Sequence, residues 1–273
     1  AECRSSFVNV TGWGGIDVSS IGVAANDIIR IREEAEASGQ HAIFEIIEIC
    51  EIQRTGRIDG EQVVDFQIVD LGADLELVIA DGGSIDGSPA IARLSGAQVI
   101  TVEPAGRGRQ LAKGARHASG SWLLFLHADS RLPKTWAEHI RTVLLSPQAA
   151  ASAWYFDLHI DPETPMRHLL AKAVALRSRW LQRPYGDQGL LLHQTLYERS
   201  GGFAEVPLME DLDLVERLSR IAMLRPLQIP LITDGRRWEH CGVRQRSLQN
   251  CRLKRRWKQG VSLETLARDY YGS

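Results

Sequence analysis

From residue 75 onward, short apolar runs closed by Asp, Gly or His alternate with stretches whose apolar residues recur every three to four positions. Leu75 to Ala80 (LELVIA) predicts a buried strand that opens at Asp81-Gly-Gly-Ser84, and Pro89 to Leu94 predicts the helix after it. Ala97 to Val102 predicts the next strand, Gln110 to Ala118 the next helix, and Trp122 to His127 a third strand ending in Ala128 and Asp129. Repeated strand-helix units of this kind build an α/β fold around a mostly parallel sheet flanked by helices. Ligands in such sheets bind beyond the carboxyl ends of the strands, so the residues just after each strand are the first candidates for function. Further on, Met166 to Leu181 has helical spacing and Gly189 to Leu192 is strand-like. Glu210 to Leu224 predicts an amphipathic helix opened by acids, and Leu227 to Thr233 a last strand.

The first seventy residues break this pattern. They hold twelve Ile and no Leu, Pro or Lys. Gly12-Trp-Gly-Gly15 signals a turn and Ile28 to Ala37 a helix, but the chemistry is anchored only from residue 75. With 273 residues, 44% of them hydrophobic, the chain can bury a full core, which excludes a disordered or disulfide-stapled scaffold. A net charge of −2 gives no global field for nucleic acid. The average conceals an asymmetry: residues 1 to 103 carry 18 acidic and 6 basic side chains, whereas 244 to 258 carry seven basic ones and no acid. Leu248, Leu253 and Trp257 lie among those cations. The segment is therefore either a solvated helix face or a peripheral contact with anionic lipid. Cys3, Cys50, Cys241 and Cys251 lack metal or disulfide spacing, and neither a signal peptide nor a membrane span is apparent. The expectation is a cytoplasmic protein, with 244 to 258 the segment that would meet the inner membrane face.

Five motifs at strand or helix ends carry polar chemistry. Asp81-Gly-Gly-Ser-Ile-Asp-Gly87 is either a plain Asp/Gly turn or a place where backbone N–H groups and a carboxylate meet a base or sugar. Gly106-Arg-Gly-Arg-Gln110 is an exposed basic turn or a phosphate site; it fits neither G-x-G-x-x-G nor a P-loop. Asp129 follows the most apolar strand, where a carboxylate either caps the next turn or meets a hard divalent metal. Tyr185-Gly-Asp-Gln188 is a surface turn or presents Asp187 and Gln188 at the sheet edge. Glu210, Asp211 and Asp213 open a helix, where acids complement the dipole or supply a general base.

Taken together, Asp81-Gly-Gly-Ser-x-Asp-Gly, then Asp129 after 48 residues, then Glu210-Asp211-x-Asp213 with Asp211 a further 82 on, resemble the family 2 glycosyltransferases. The segments around His127-Ala-Asp129, Gly106 to Gln110, Pro184 to Gln188, Pro207 to Asp211 and Arg236-Arg-Trp-Glu239 are similar to a bacterial subgroup associated with arsenosugar biosynthesis. The resemblance runs from about 75 to 270. It implies a GT-A fold over 1–235 with a basic helical extension over 236–273, a nucleotide-diphosphate sugar donor with UDP favoured, a hydroxyl acceptor of unknown identity, and Mn²⁺ or Mg²⁺.

Carried onto these residues, the resemblance implies Asp81, Gly82 and Asp86 at the nucleoside and Arg107 and Arg109 near the phosphates. Asp187 and Gln188 would lie at the donor, and Arg236, Arg237 and Trp238 would close over the diphosphate. Asp129 would hold the metal, with His127 in the first position of the Asp-x-Asp-like motif. Asp211 would be the base, with Glu210 beside it, and transfer would invert the anomeric centre. The family's opening Pro-x-x-Asn-Glu-like turn has its nearest counterpart at Asn26-Asp27, 54 residues before Asp81. The rival readings are a nucleotidyltransferase, which would attack phosphorus instead of a sugar carbon, and a non-catalytic nucleotide-sugar binding module.

Overall fold

The computed structural model describes residues 6–7, 44–49, 67–68, 75–85, 87–235 and 242–271. Asp86, Arg236, Arg237 and Trp238 lie outside the described residues, as do Gly12 to Gly15, Asn26-Asp27 and Ile28 to Ala37.

Ten strands and eight helices are described. β1 (Ser6–Phe7) and β3 (Gln67–Ile68) form a small antiparallel pair. The main sheet takes β2 (Phe44–Ile49), β4 (Leu75–Asp81), β5 (Gln98–Thr101), β6 (Trp122–His127), β7 (Ser130–Arg131), β8 (Ser152–Asp161), β9 (Leu190–His193) and β10 (Met223–Asp234). Their spatial order is β5-β4-β2-β6-β9-β8-β10-β7. β5, β4, β2 and β6 are mutually parallel, β9 runs against both β6 and β8, and β10 runs parallel to β8. Six strands therefore deliver their carboxyl ends to one edge. The helices are α1 (Ser88–Leu94), α2 (Arg107–His117), α3 (Trp136–Leu144), α4 (Pro165–Leu181), α5 (Gln194–Arg199), α6 (Glu210–Leu218), α7 (Val243–Lys258) and α8 (Leu263–Tyr271).

Period-two alternation along the central strands sorts side chains between the two faces of the sheet. Leu123, Phe125, Tyr155, Leu190 and Leu192 pack with Leu111 of α2 and Leu214 and Leu218 of α6 on one face. Leu124, Leu126, Phe156 and Leu191 pack with Trp136 and Ile140 of α3 and Leu231 of β10 on the other. Each such side chain, fully buried, contributes about 1.5–3 kcal/mol. Both faces are covered, which is why these strands read as continuous apolar runs.

Four readings need correction. α2 begins at Arg107, three residues before the predicted start, so Gly106-Arg-Gly-Arg109 is a helix N-terminus and not a free loop. An added Cβ at Gly108 would lie 2.4 Å from the Ala204 carbonyl oxygen and 2.7 Å from that of Val206, so only glycine lets the helix approach that segment. The helix predicted to reach Leu224 ends at Leu218, and β10 starts already at Met223. The strand beside β4 is Phe44–Ile49, so the strand-end turn sought at Asn26-Asp27 is not the end of that strand. Finally, α7 turns Leu253 inward. It is 6% exposed and packs with Leu208, Met209, Leu212 and Leu266, with Trp257 half-buried against the same cluster.

Candidate active site

The carboxyl edge of the sheet gathers the polar residues. Asp81 closes β4 and is buried. Its Oδ2 accepts the Gly83 and Ser84 N–H groups at 3.0 Å each, the geometry of an Asx turn. Its Oδ1 is buried with no hydrogen-bond partner. One strand over from its neighbour β2, β6 ends at His127, and Asp129 follows two residues later. β4 and β6 both pair with β2, so their ends stand about two strand spacings apart, roughly 10 Å. Gln110, buried on α2, donates from Nε2 to the Ala80 carbonyl at 2.7 Å and accepts the Gly106 N–H at 3.3 Å. That amide ties the end of β4 to the first turn of α2.

The first turn of α2 faces the first turn of α6. Arg107 donates from Nε to Glu210 Oε1, whose side chain is fully buried. Beside it, Asp211 Oδ2 accepts the Gly186 N–H at 2.9 Å, while Oδ1 accepts its own neighbour's Leu212 N–H at 2.8 Å. Gly186 lies in a 3₁₀ turn (Gly186–Gln188) that abuts the end of β6. A Cβ added at Gly186 would meet His127 Nε2 at 2.5 Å and Asp211 Oδ2 at 3.3 Å, so imidazole and carboxylate both pack against the space that this glycine leaves open. His127, Gly186 and Asp211 line a small cavity with Leu111, Phe125 and Tyr185.

Burial acts to raise the Asp211 pKa, but the Arg107 cation, the Gly186 N–H, His127 and the Leu212 N–H together outweigh it, and the carboxyl is held below its ordinary range. Glu210 shifts the other way. Its burial outweighs the attraction of Arg107, and the ionised Asp211 adds to the upward shift. Two adjacent carboxylates thus have opposite electrostatic characters.

The structure brings Arg107, Glu210 and Asp211 into one contact group, and it sets Asp81, Gly82 and Asp129 along the same edge. Asp187 is half-buried in the 3₁₀ turn. Two candidates turn elsewhere. Arg109 donates to Glu205 at 3.3 Å and to the Pro104 carbonyl at 2.7 Å, on the outer side of α2. Gln188 is fully buried: its Oε1 accepts from Ser178 at 2.7 Å and Arg177 at 3.1 Å, and its Nε2 donates to the Phe156 carbonyl at 3.1 Å. With its amide so occupied, Gln188 fastens the 3₁₀ turn and does not face a donor.

Sequence reasoning passed over Gly186, Tyr185 and Lys254. Tyr185 is held between cations: the Arg177 guanidinium lies 3.4 Å from its ring centroid, and Lys254 of α7 donates to its hydroxyl at 2.7 Å. The aromatic residue before Gly186 was a visible signal, whereas its partners lie 8 and 69 residues away.

A family model for glycosyl transferase family 2 matches residues 66–204. The chain belongs to this family. The match takes in Asp81, Arg107, Asp129 and Gln188 and stops six residues before Glu210. A search of curated proteins gave no match. Among solved structures, this family 2 chain is similar to S. aureus TarS 1-349 in complex with UDP-GlcNAc, at 14% identity over 70% of this chain and 58% of that one, with a TM-score of 0.51. The complex of TarS 1-349 with UDP gives 13% identity, 70% and 60% coverage and a TM-score of 0.50. Mannosyltransferase PcManGT from Pyrobaculum calidifontis in complex with GDP-Man and Mn2+ gives 17%, 86% and 70%, with a TM-score of 0.48. The chain spans about 58% of the length of TarS 1-349. At such identities the likeness is one of fold, and the fold is GT-A: a mostly parallel sheet flanked by helices.

Proposed function

We propose that the chain moves a sugar from a nucleotide-diphosphate donor, with UDP favoured, to a hydroxyl acceptor with inversion at the anomeric carbon, assisted by a divalent metal. The observation that carries this reading is Asp211: a carboxylate whose pKa is held down beside His127, on the edge where β4 ends at Asp81 and Asp129 follows β6. Asp211 takes the proton of the acceptor hydroxyl. The acceptor oxygen then bonds to the sugar C1 as the C1–O bond to the diphosphate breaks, and the nucleoside diphosphate leaves with that electron pair. One direct displacement inverts the centre. Asp81 Oδ1, buried and unpartnered, suits a base N–H or a ribose hydroxyl, since Oδ2 is already committed to its own turn. Arg107 adds a fixed cation near the leaving group.

Among the described residues no three His, Cys, Asp or Glu side chains cluster as a metal cage. Asp129 offers one hard carboxylate at the sheet edge, and it would hold an ion such as Mg²⁺ or Mn²⁺. When bound, such an ion offsets the charge that develops on the diphosphate.

The catalytic unit is assigned to 1–235, and 236–273 to a helical extension docked through Leu253 and Leu266 on 208–212. The motifs at 106–110, 127–129 and 184–188 support placing the chain in the arsenosugar-associated subgroup. The test is a panel of nucleotide sugars screened with Mn²⁺ for thermal stabilisation, followed by product analysis with the donor that shifts Tm. Release of nucleoside diphosphate and an inverted anomeric proton coupling are expected. Pyrophosphate release would instead establish a nucleotidyltransferase, a retained configuration would refute the direct displacement, and donor binding with no turnover by the parent chain would leave a binding module.

A further inference from the structure

α4 carries an apolar stripe that nothing among the described residues covers. Met166, Leu169, Ala173, Leu176 and Trp180 recur at spacings of three and four and so share one face of the helix. Leu169 is 61% exposed, Leu176 60% and Trp180 82%. The opposite face, with Val174 and Ser178, is buried, so the stripe is surplus to the core. α4 contains no Asp or Glu, and neither does α7, which packs beside it. Among the described neighbouring acids, Asp157 pairs with Arg179 and Glu216 with Arg183 and Lys258, while Glu163, before the first turn of α4, is hydrogen-bonded to His168. Among the described residues no carboxylate pairs with the exposed Lys172 of α4 or Arg252 and Arg255 of α7.

We propose that this face of α4, with the cations of α7 at its side, docks peripherally on an anionic lipid bilayer. An apolar stripe ending in Trp, bordered by unmatched cations and free of carboxylates, is the chemistry of an interfacial helix. A second copy of the chain fits the same face poorly, because a two-fold contact would set these cations against their own symmetry mates. The surface differs from the one expected from sequence. There the apolar anchors were Leu248, Leu253 and Trp257, but the latter two are packed against the core and α7 contributes mainly charge. No helix among the described residues is long and apolar enough to cross a membrane, so the contact lies in the interface. The carboxyl end of α4 adjoins the 184–188 turn through Arg177 and Ser178, so docking brings the candidate site to the lipid surface.

The experiment is co-sedimentation of the full chain with vesicles of phosphatidylcholine alone and of phosphatidylcholine mixed with phosphatidylglycerol, at low and high salt. Binding is expected only to the mixed vesicles, weakening as salt rises. The double variant Leu176→Glu/Trp180→Glu should bind at least roughly tenfold more weakly, since it removes both apolar anchors and adds two repelled charges. Lys172→Gln and Arg252→Gln should each weaken binding about fivefold. They provide a second arm should the double variant fold poorly by circular dichroism. Equal binding to both vesicle types, no binding at low salt, or variants that bind as the parent does would overturn the proposal. So would a dimer in sedimentation equilibrium that the double variant dissolves without any vesicle binding, or capture by an acidic polypeptide alone. Vesicle binding is read without turnover, so its failure would leave the proposed sugar transfer untouched.

Discussion

Replacing Arg107 with Met separates two roles that meet at one side chain. Arg107 is 16% exposed, and the Glu210 carboxylate it contacts is fully buried. Because burial raises the Glu210 pKa, the carboxyl can keep its proton, and removing Arg107 then leaves one buried acceptor without its donor, a cost of about 1–3 kcal/mol. With a shift of about 2–4 °C per kcal/mol for a domain of this size, Tm should fall by roughly 5 °C. Arg107 is also the largest of the influences that hold the Asp211 pKa down against its burial. Its loss should therefore move the acid limb of the kcat/KM profile to higher pH.

A second variant, Arg107→Met/Glu210→Leu, removes both polar partners and should recover most of the lost stability, as apolar replacement of buried pairs commonly does. It should leave the acid limb where the single variant put it, because Glu210→Leu returns no cation to Asp211. Urea denaturation at neutral pH and a pH series with the donor identified by thermal shift provide the two readouts. A single variant with unchanged stability, or a double variant whose acid limb returns to the parent position, would refute the assignment of Arg107 to both tasks.

Asp211→Asn should lower kcat by roughly 10²–10⁴-fold while donor affinity, measured by calorimetry, stays close to the parent value. Asn can still accept one of the two backbone N–H groups that Asp211 serves, so the fold should survive. Asp81→Ala should raise the donor KM by roughly 10–100-fold with a smaller change in kcat, the effect of losing one charge-assisted hydrogen bond of about 1.5–3 kcal/mol; equal affinity for donor would remove Asp81 from the nucleotide site. Gly186→Ala forces the His127 ring away from a Cβ that would stand 2.5 Å from its Nε2. Because the same turn holds Asp211, kcat should fall roughly 10²-fold with a modest change in Tm, and an unaltered kcat would show that this spacing is irrelevant to turnover.

β4 and β6 were legible because their inner residues are buried and the strands end at Asp81 and His127, so apolar runs and breakers coincide with real boundaries. β8 escaped notice for the opposite reason. Ser152–Asp161 is not a continuous apolar run: Asp157, His159 and Asp161 alternate with the buried Leu158 and Ile160, the pattern of a strand with only one face buried there. β10 was legible from Leu227 to Thr233, and only its start at Met223 was masked, by the helix carried to Leu224; Pro226 and Pro230 both lie within the strand. Both are tolerated because β10 has β8 on one side and meets β7 only near its end, at Ile232 and Thr233, and a register shift falls between the prolines.

In the candidate site, the residue types were visible while their directions were not. Arg107 and Arg109 are two positions apart on one helix, so their side chains diverge by about 200°. One reaches Glu210 and the other Glu205. Nothing local distinguishes them; α6 and the 204–206 segment, a hundred residues away, do. Gln188 likewise looked like a ligand group until the buried Ser178 hydroxyl and Phe156 carbonyl claimed its amide.

Glu210 and Asp211 show how one helix start supports two electrostatic states. The positive end of α6 favours both acids, so the difference must arise from what each side chain faces. Glu210 enters the interior, where desolvation dominates and its pKa rises. Its contribution to stability is therefore present below its unfolded pKa and is lost as pH rises through the folded one. Asp211 meets two backbone N–H groups, His127 and the field of Arg107, and its pKa falls. Its contribution is present above its unfolded pKa and is lost as pH falls through the folded one. Between the two folded values, Glu210 carries its proton while Asp211 is ionised. In that window the charge of Arg107 is not cancelled by its buried neighbour and acts on Asp211 and on an incoming diphosphate. Glu210 thereby fixes the position of a cation whose field it leaves largely uncancelled. Glu210→Gln, which keeps the acceptor and cannot ionise, should accordingly leave the acid limb of kcat/KM in place and flatten any loss of rate that the parent shows as Glu210 deprotonates; a steeper loss at high pH in the Gln variant would contradict this division.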